Sequence, residues 1–77
     1  MPGVSNTEFA ERVGVHHSTV SRLRSGERLP SGHLLTRIVA AYDLDKAEAM
    51  DAYAQGEEAF ARFLGARVFH PVAGQRR

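Results

Sequence analysis

The chain lacks cysteine and tryptophan altogether, and its 77 residues include only three prolines. Without cysteine it has neither disulfide bonds nor thiolate metal sites, so two common stabilising devices of small proteins are missing. A domain of this size buries only about 60% of the surface that its unfolded chain exposes. Helix packing, within the chain or with a second subunit, must therefore supply the stability.

Long hydrophobic runs are also missing from the sequence. No apolar stretch approaches the roughly 20 residues that a membrane-spanning helix needs. The first residues, MPGVSN, lack the basic and apolar regions of a signal peptide. We therefore expect a soluble, cytoplasmic protein.

Motifs of catalysis are absent as well. The sequence contains no glycine-rich phosphate loop and no nucleophile elbow. Four histidines, His16, His17, His33 and His70, are available as metal ligands, but adjacent histidines diverge on a helix and no carboxylate lies at ligand spacing beside them. We expect no enzymatic activity, no metal and no cofactor.

Charge is distributed unevenly along the chain, although the formal net charge is only +1. Residues 1–37 carry five arginines against three glutamates, whereas residues 38–66 carry two basic and six acidic side chains. Three further arginines follow in the last eleven residues. This asymmetry suits a protein that places one face on a polyanion, although ordinary solvated surfaces also produce it.

Two short helices joined by a tight turn are predicted over residues 6–25. Ser5 and Glu8 form a capping box for the first helix, whose apolar positions are Phe9, Ala10 and Val13. Gly14 should end this helix, because a residue just past a helix end often adopts positive φ. The second helix is predicted from about residue 17 to residue 25, before Gly26.

The second helix has two contrasting faces. Val20 and Leu23 lie three residues apart on the inner face. The outer face carries the polar side chains His17, Ser18, Ser21 and Arg22. Helix propensity does not account for these residues, whereas base edges in a DNA major groove require such hydrogen-bonding groups. A solvated helix face is the competing interpretation. Arg24 and Arg28 flank the row and are candidates for phosphate contacts.

Three further helices are indicated after this pair. Ser31 is an N-cap for a helix over residues 33–42, and Asp45 with Glu48 forms a second capping box for a helix from about Lys46. The predicted inner stripe of that fourth helix is Ala47, Met50, Tyr53 and Ala54. Gly56 either separates a fifth helix from the fourth or bends one long helix.

A large apolar segment follows Gly56. Phe60, Phe63 and Leu64 recur at helical spacing and either complete the core of the monomer or form a dimer interface, two roles that can coexist. We interpret residues 1–69 as one all-α domain of four to five helices, with 56–69 as the candidate dimerisation segment. Residues 70–77 are expected to be a flexible basic tail.

Residues 5–45 resemble the Xre/lambda-repressor/Cro-like helix-turn-helix proteins. The common run of that family appears here as SNTEFAERVGV, HHSTVSRLRSG and ERLPSGHLLTRIVAAYDLD. Independent positions agree, among them Ala10, Gly14, Gly26 and the pair Pro30-Ser31. The resemblance implies a lambda-repressor-like bundle that binds double-stranded DNA.

The resemblance also implies roles for particular residues. Its base-reading positions correspond to His17, Ser18, Ser21 and Arg22. Asn6 stands where the family often has a phosphate-binding glutamine, and Arg28 matches a loop position that meets the backbone. Thr19 is a further phosphate candidate, with packing beside the first helix as the alternative.

One departure from the family pattern concerns the start of the chain. Family members usually have a complete helix before this run, whereas four residues precede Ser5 here. We therefore expect a truncated N-terminal helix, with the aromatic C-terminal segment of the same chain or of a partner covering that side of the core. The pair His16-His17 is a second departure, for which a neutral hydrogen-bonding imidazole is the favoured role.

These patterns predict a sequence-specific transcriptional regulator, a phage-repressor or Cro-like repressor that binds a near-palindromic operator as a homodimer. The alternative is an antitoxin-type interaction protein whose C-terminal segment binds a partner protein.

Overall fold

The computed structural model describes residues 4–69, which form five helices and no strand. The helices are α1 (Asn6–Val13), α2 (His17–Ser25), α3 (Gly32–Tyr42), α4 (Lys46–Gln55) and α5 (Glu57–Arg67). This is the predicted all-α architecture. The predicted basic tail, residues 70–77, and the first three residues lie outside the described part of the chain.

Local capping signals determine where the helices begin and end. Ser5, Ser31 and Asp45 each accept a hydrogen bond from the backbone N–H three residues ahead, at 3.0, 3.2 and 2.9 Å. Gly14 and Gly26 end α1 and α2 with φ of 75° and 80°. The predicted boundaries of α1 and α2 are thus confirmed, and α3 begins at Gly32, one residue before the predicted start.

Gly56 separates α4 from α5, which decides between the two predicted alternatives. Its φ of 115° and ψ of −179° are accessible to glycine and strained for other residues. The capping box predicted for α4 is only half formed: Asp45 accepts from the Glu48 N–H, but the Glu48 carboxylate does not bind the Asp45 N–H. It instead binds Arg67 in a bidentate pair between α4 and α5, with Nε to Oε1 at 3.0 Å. The side chains are about half exposed, so this pair adds little stability.

The inner face of α4 differs from the predicted stripe. Ala49 and Ala52 are buried, whereas Ala47 and Ala54 are exposed and Met50 is 49% exposed. The small alanine side chains allow α4 to lie close to α5, and only Tyr53 of the predicted stripe is partly buried. The prediction failed because it placed Met50 inside, whereas the two buried positions of α4 hold the small residue alanine.

The aromatic C-terminal segment completes the core of the same chain. Almost none of its apolar surface is available to a second subunit, because the exposed fractions of Phe60, Phe63 and Leu64 are only 1%, 8% and 0%. Of the two roles predicted for these three side chains, their burial supports completion of the monomer core rather than a dimer interface. Phe69, just beyond α5, packs on Phe9 with ring centroids 4.9 Å apart. The expectation that this segment covers the α1 side of the core is confirmed.

Candidate nucleic-acid interface

The turn between α1 and α2 sets the direction of the second helix. The N–H groups of Gly14 and Val15 both donate to the Ala10 carbonyl at 2.9 Å. Arg37 of α3 donates from Nη1 to the Val13 carbonyl at 3.1 Å, placing a cation at the carboxyl end of α1, where the helix dipole favours it. A Cβ at position 14 would lie 3.3 Å from the same Nη1 atom. Glycine therefore serves both the positive φ and the close approach of Arg37.

His16 caps the N-terminus of α2 with its side chain. Its Nδ1 accepts from the Ser18 backbone N–H at 3.1 Å and lies 2.8 Å from Ser18 Oγ. An Nδ1 that accepts the backbone N–H carries no proton, so the Ser18 hydroxyl must donate in the shorter contact. Ser18 Oγ then has only lone pairs to offer to another group.

The ring of His17 stacks on that of His16, with centroids 4.4 Å apart and planes 28° apart. His17 is exposed at the first position of α2. The stack restricts the orientation of the His17 ring relative to the capped end of the helix. The two adjacent histidines thus have different roles, since one closes the helix and the other presents its ring to solvent.

The four predicted base-reading residues share one face of α2. Because successive helical residues are rotated by about 100°, they fall within an arc of about 140°. His17, Ser21 and Arg22 are exposed and Ser18 is half-buried. Val20 and Leu23 lie on the opposite face and are fully buried. The core thus fixes which side chains α2 turns outward.

The predicted phosphate contacts fall on both sides of this reading face. Arg24 follows one edge of the face, and its Nη1 donates to Asn6 Oδ1 at 2.7 Å. Thr19 follows the other edge, where it lines an open groove together with Arg28 and Ser31. The structure therefore brings Asn6 together with Arg24 and Thr19 together with Arg28. A major groove is bordered by two phosphate backbones in the same way.

The C-terminal end of α2 is held in place by the C-terminal helices. A Cβ at Gly26 would lie 3.5 Å from the Glu58 backbone, so α5 passes close to this turn. Tyr53 of α4 donates its hydroxyl to the Pro30 carbonyl at 2.8 Å, which fixes the loop that carries Arg28. Both contacts position the α2 end and its following loop from the C-terminal helices.

Acidic partners do not neutralise the arginines of this surface. Within residues 4–69, the single ion pair joins Glu48 to Arg67. Its hydrogen bond and charge raise the pKa of the Arg67 guanidinium. Arg22, Arg24 and Arg28 are exposed and free to meet an anion. The same described range contains no histidine, aspartate and glutamate cluster that could hold a metal ion.

Sequence reasoning missed three contributors to this site. It left the role of His16 open, because histidine is not among the usual N-cap residues. It gave no role to Arg37, because nothing in the local sequence indicates that this α3 side chain reaches the carboxyl end of α1. It gave Phe69 no part in this surface, although the Arg24 guanidinium carbon lies 4.1 Å from the centre of its ring.

A model of the helix-turn-helix family matches residues 2–48, more than half of the chain. The protein belongs to the Xre/lambda-repressor-like helix-turn-helix family. The matched region includes α1 to α3 and the first residues of α4. This family consists of DNA-binding regulators, so the geometry above is that of a DNA-binding domain. No curated protein and no solved structure shows significant similarity to the chain.

Within residues 4–69, no helix of this family member is long and apolar enough to cross a membrane.

Proposed function

We propose that the protein is a sequence-specific transcriptional repressor that binds double-stranded DNA with α2 in the major groove. The observation that carries this proposal is the reading face of α2, with two groups of phosphate-binding candidates on its two sides. His17, Ser18, Ser21 and Arg22 read base edges. The phosphate contacts are Asn6 and Arg24 on one side and Thr19 and Arg28 on the other.

Each reading residue has a hydrogen-bonding character that limits the bases it selects. Arg22 donates to O6 and N7 of guanine, the geometry that a guanidinium matches best. Ser18 Oγ, whose proton is engaged by His16, accepts from an amino group. In the major groove those groups are adenine N6 and cytosine N4. Ser18 therefore favours a base with an amino group over guanine or thymine at its position.

A single reading face of this size covers only a few base pairs, which supports a homodimer on a near-palindromic operator. The two recognition helices would then enter successive major grooves, with half-site centres about 34 Å apart or a multiple of that distance. Occupation of such an operator represses transcription by excluding other proteins from the same DNA. The surface that joins the two subunits lies outside Phe60, Phe63 and Leu64, because their side chains are buried in the monomer.

Selection of bound sequences from a random double-stranded pool tests this proposal. We expect a near-palindromic consensus, with guanine at the position read by Arg22 and adenine or cytosine at that read by Ser18. Gel filtration of the whole chain and a reporter driven by the selected operator test the dimer and repression. Absence of any enriched sequence would contradict sequence-specific binding.

The alternative of an antitoxin-type protein rested on a C-terminal segment free to bind a partner. Phe60 and Leu64 are buried and therefore not available to a partner, which favours the repressor over this alternative. The repressor is therefore the function that the arrangement supports best.

A further inference from the structure

Arg24 is held in place by groups from two other parts of the chain. Its Nη1 donates to Oδ1 of Asn6, the first residue of α1, at 2.7 Å. Its guanidinium carbon lies 4.1 Å from the centre of the Phe69 ring, within the range of a cation–π interaction. One guanidinium thus connects the start of α1, the recognition helix and the residue two positions beyond α5.

Phe69 is itself a fixed support. Its side chain is 5% exposed and packs on Phe9, which is fully buried. Its backbone N–H donates to the Leu64 carbonyl at 2.9 Å, which holds Phe69 against the end of α5. The ring under Arg24 therefore belongs to the core, and its position is set by core packing.

The electrostatic surroundings of Arg24 favour an anion. Both contacts of its guanidinium, the Asn6 amide and the Phe69 ring, are uncharged. Asn6 begins α1, where the helix dipole is positive and the first backbone N–H groups need acceptors. A second positive charge at this end is unfavourable until an anion joins it. The Asn6 amide NH₂ and the remaining Arg24 N–H groups are donors for such an anion, and a DNA phosphate supplies one.

We propose that Phe69 is a positioning residue for DNA binding, because it holds the Arg24 guanidinium beside Asn6 where a backbone phosphate is bound. This inference rests on the proposed DNA-binding function and adds the C-terminal end of the domain to the machinery that determines affinity. A long arginine side chain normally loses rotamer freedom when it binds. Stacking on a buried ring limits that freedom beforehand, so less of it is lost on contact with phosphate.

A double-mutant cycle between Arg24 and Phe69 tests the proposal. Phe69→Leu keeps an apolar side chain and removes the aromatic face, and Arg24→Met keeps the stem and removes the charge. Affinity is measured by fluorescence anisotropy on the selected operator and on random duplex DNA at several salt concentrations. We expect Phe69→Leu to weaken both DNAs by about threefold to tenfold when Arg24 is present. In the Arg24→Met background the same change should have no effect on affinity.

Two further variants separate positioning from general damage to the core. Phe69→Tyr keeps the ring and should restore nearly the full affinity. Phe63→Leu removes a ring that packs on Phe60 and serves as the matched core change in the same segment. It should leave DNA affinity unchanged at a temperature where urea unfolding shows all variants to be folded.

An equal loss from Phe69→Leu in both Arg24 backgrounds would overturn the positioning role while leaving DNA binding intact. A wild-type protein that binds neither DNA would instead overturn the proposed function, and the positioning role with it. A wild-type protein that binds with full coupling between Arg24 and Phe69 supports both.

Discussion

We expect Arg22 and Arg28 to have separable effects on DNA recognition. Arg22 lies on the reading face, whereas Arg28 lies in the loop after the helix and lines the groove shared with Thr19. Both are exposed and neither has a carboxylate partner in the described range. Their charge is the same, so any difference between them comes from what each meets.

Replacing Arg22 by alanine should therefore reduce specificity, and replacing Arg28 should reduce affinity in general. We expect Arg22→Ala to cost about 1–3 kcal/mol at one base position of the operator. Arg28→Ala should weaken operator and random DNA alike and flatten the salt dependence of binding. Titrations of both variants on both DNAs measure this contrast. Equal losses on operator and random DNA from Arg22→Ala would contradict its reading role.

His16 affects stability through one ring nitrogen. His16→Ala removes the acceptor for the Ser18 N–H and should destabilise the fold by about 0.5–2 kcal/mol. His16→Asn is the matched control, because its Oδ1 can accept the same N–H and should preserve stability. Urea denaturation at neutral pH measures both. An alanine variant as stable as the wild type would show that the cap contributes nothing.

Tyr42 contributes a buried hydroxyl for which residues 4–69 provide no hydrogen-bond partner. Its ring stacks on the Phe9 ring, with the two ring centroids 5.5 Å apart, and the Arg12 guanidinium lies over it. Burial raises the pKa of this hydroxyl above its usual 10.0, although the Arg12 charge opposes that change. Folding stability therefore has its full Tyr42 contribution below pH 10 and loses it as the pH rises through the raised pKa.

Tyr42→Phe should keep the aromatic packing and remove the unpaired hydroxyl. We expect stability at neutral pH to be unchanged or raised by up to about 1 kcal/mol, because the desolvated group is gone. The variant should also lose less stability than the wild type above pH 10. Urea midpoints at pH 7 and above pH 10 test both effects. A clear loss at pH 7 would reveal a hydrogen bond made by the hydroxyl.

At the scale of elements, helix ends were predictable from sequence and one helix face was not. Ser5, Gly14 and Asp45 act through bonds within four residues, so their signals are local. The fourth helix, KAEAMDAYAQ, carries alanine on two opposite sides, so its periodicity does not identify the inner face. Ala49 and Ala52 form the buried face. Which face is buried depends on how closely α4 and α5 pack, and the sequence of α4 alone does not determine that distance.

The corrected face of α4 leads to opposite effects at adjacent positions. Ala49→Gln places a longer polar side chain in a fully buried position, so we expect a loss of about 1–3 kcal/mol or more. Met50→Gln changes a side chain that is 49% exposed and should stay within about 0.5 kcal/mol of the wild type. Thermal unfolding of the two variants compares them. A larger loss of stability from Met50→Gln than from Ala49→Gln would support the inner face predicted from sequence.

For the whole molecule, the outward face of α2 was predictable from sequence, whereas the contacts that support this helix were not. His17 and Arg22 stand at helical spacing beside the buried pair Val20 and Leu23, so local pattern was sufficient. The contact of Arg24 with Phe69 joins residues that are distant in sequence, and no local pattern encodes it. The family match ends at residue 48, before α5 begins. The part of the chain outside that match therefore supplies the packing behind α2.

If α5 is part of the same folding unit as the DNA-binding helices, a core change in α5 must also lower the stability of α2. Phe60 is 1% exposed and meets Tyr53 edge-to-face at 5.9 Å, while Tyr53 bonds the loop after α2. Phe60→Ala should cost about 3–5 kcal/mol. That is a large share of the stability of a small domain, at roughly 0.05–0.15 kcal/mol per residue.

Arg62→Ala, at an exposed position on the same helix, is the matched control and should change stability by less than about 0.5 kcal/mol. Phe60→Leu should fall between the two and remains measurable if the alanine variant does not fold. Urea unfolding followed by circular dichroism, together with DNA binding of each variant, tests the expectation. Since one core joins α5 to α2, unfolding and loss of binding should coincide at the same urea concentration. Separate transitions would show that the helix-turn-helix stays folded without the packing of α5.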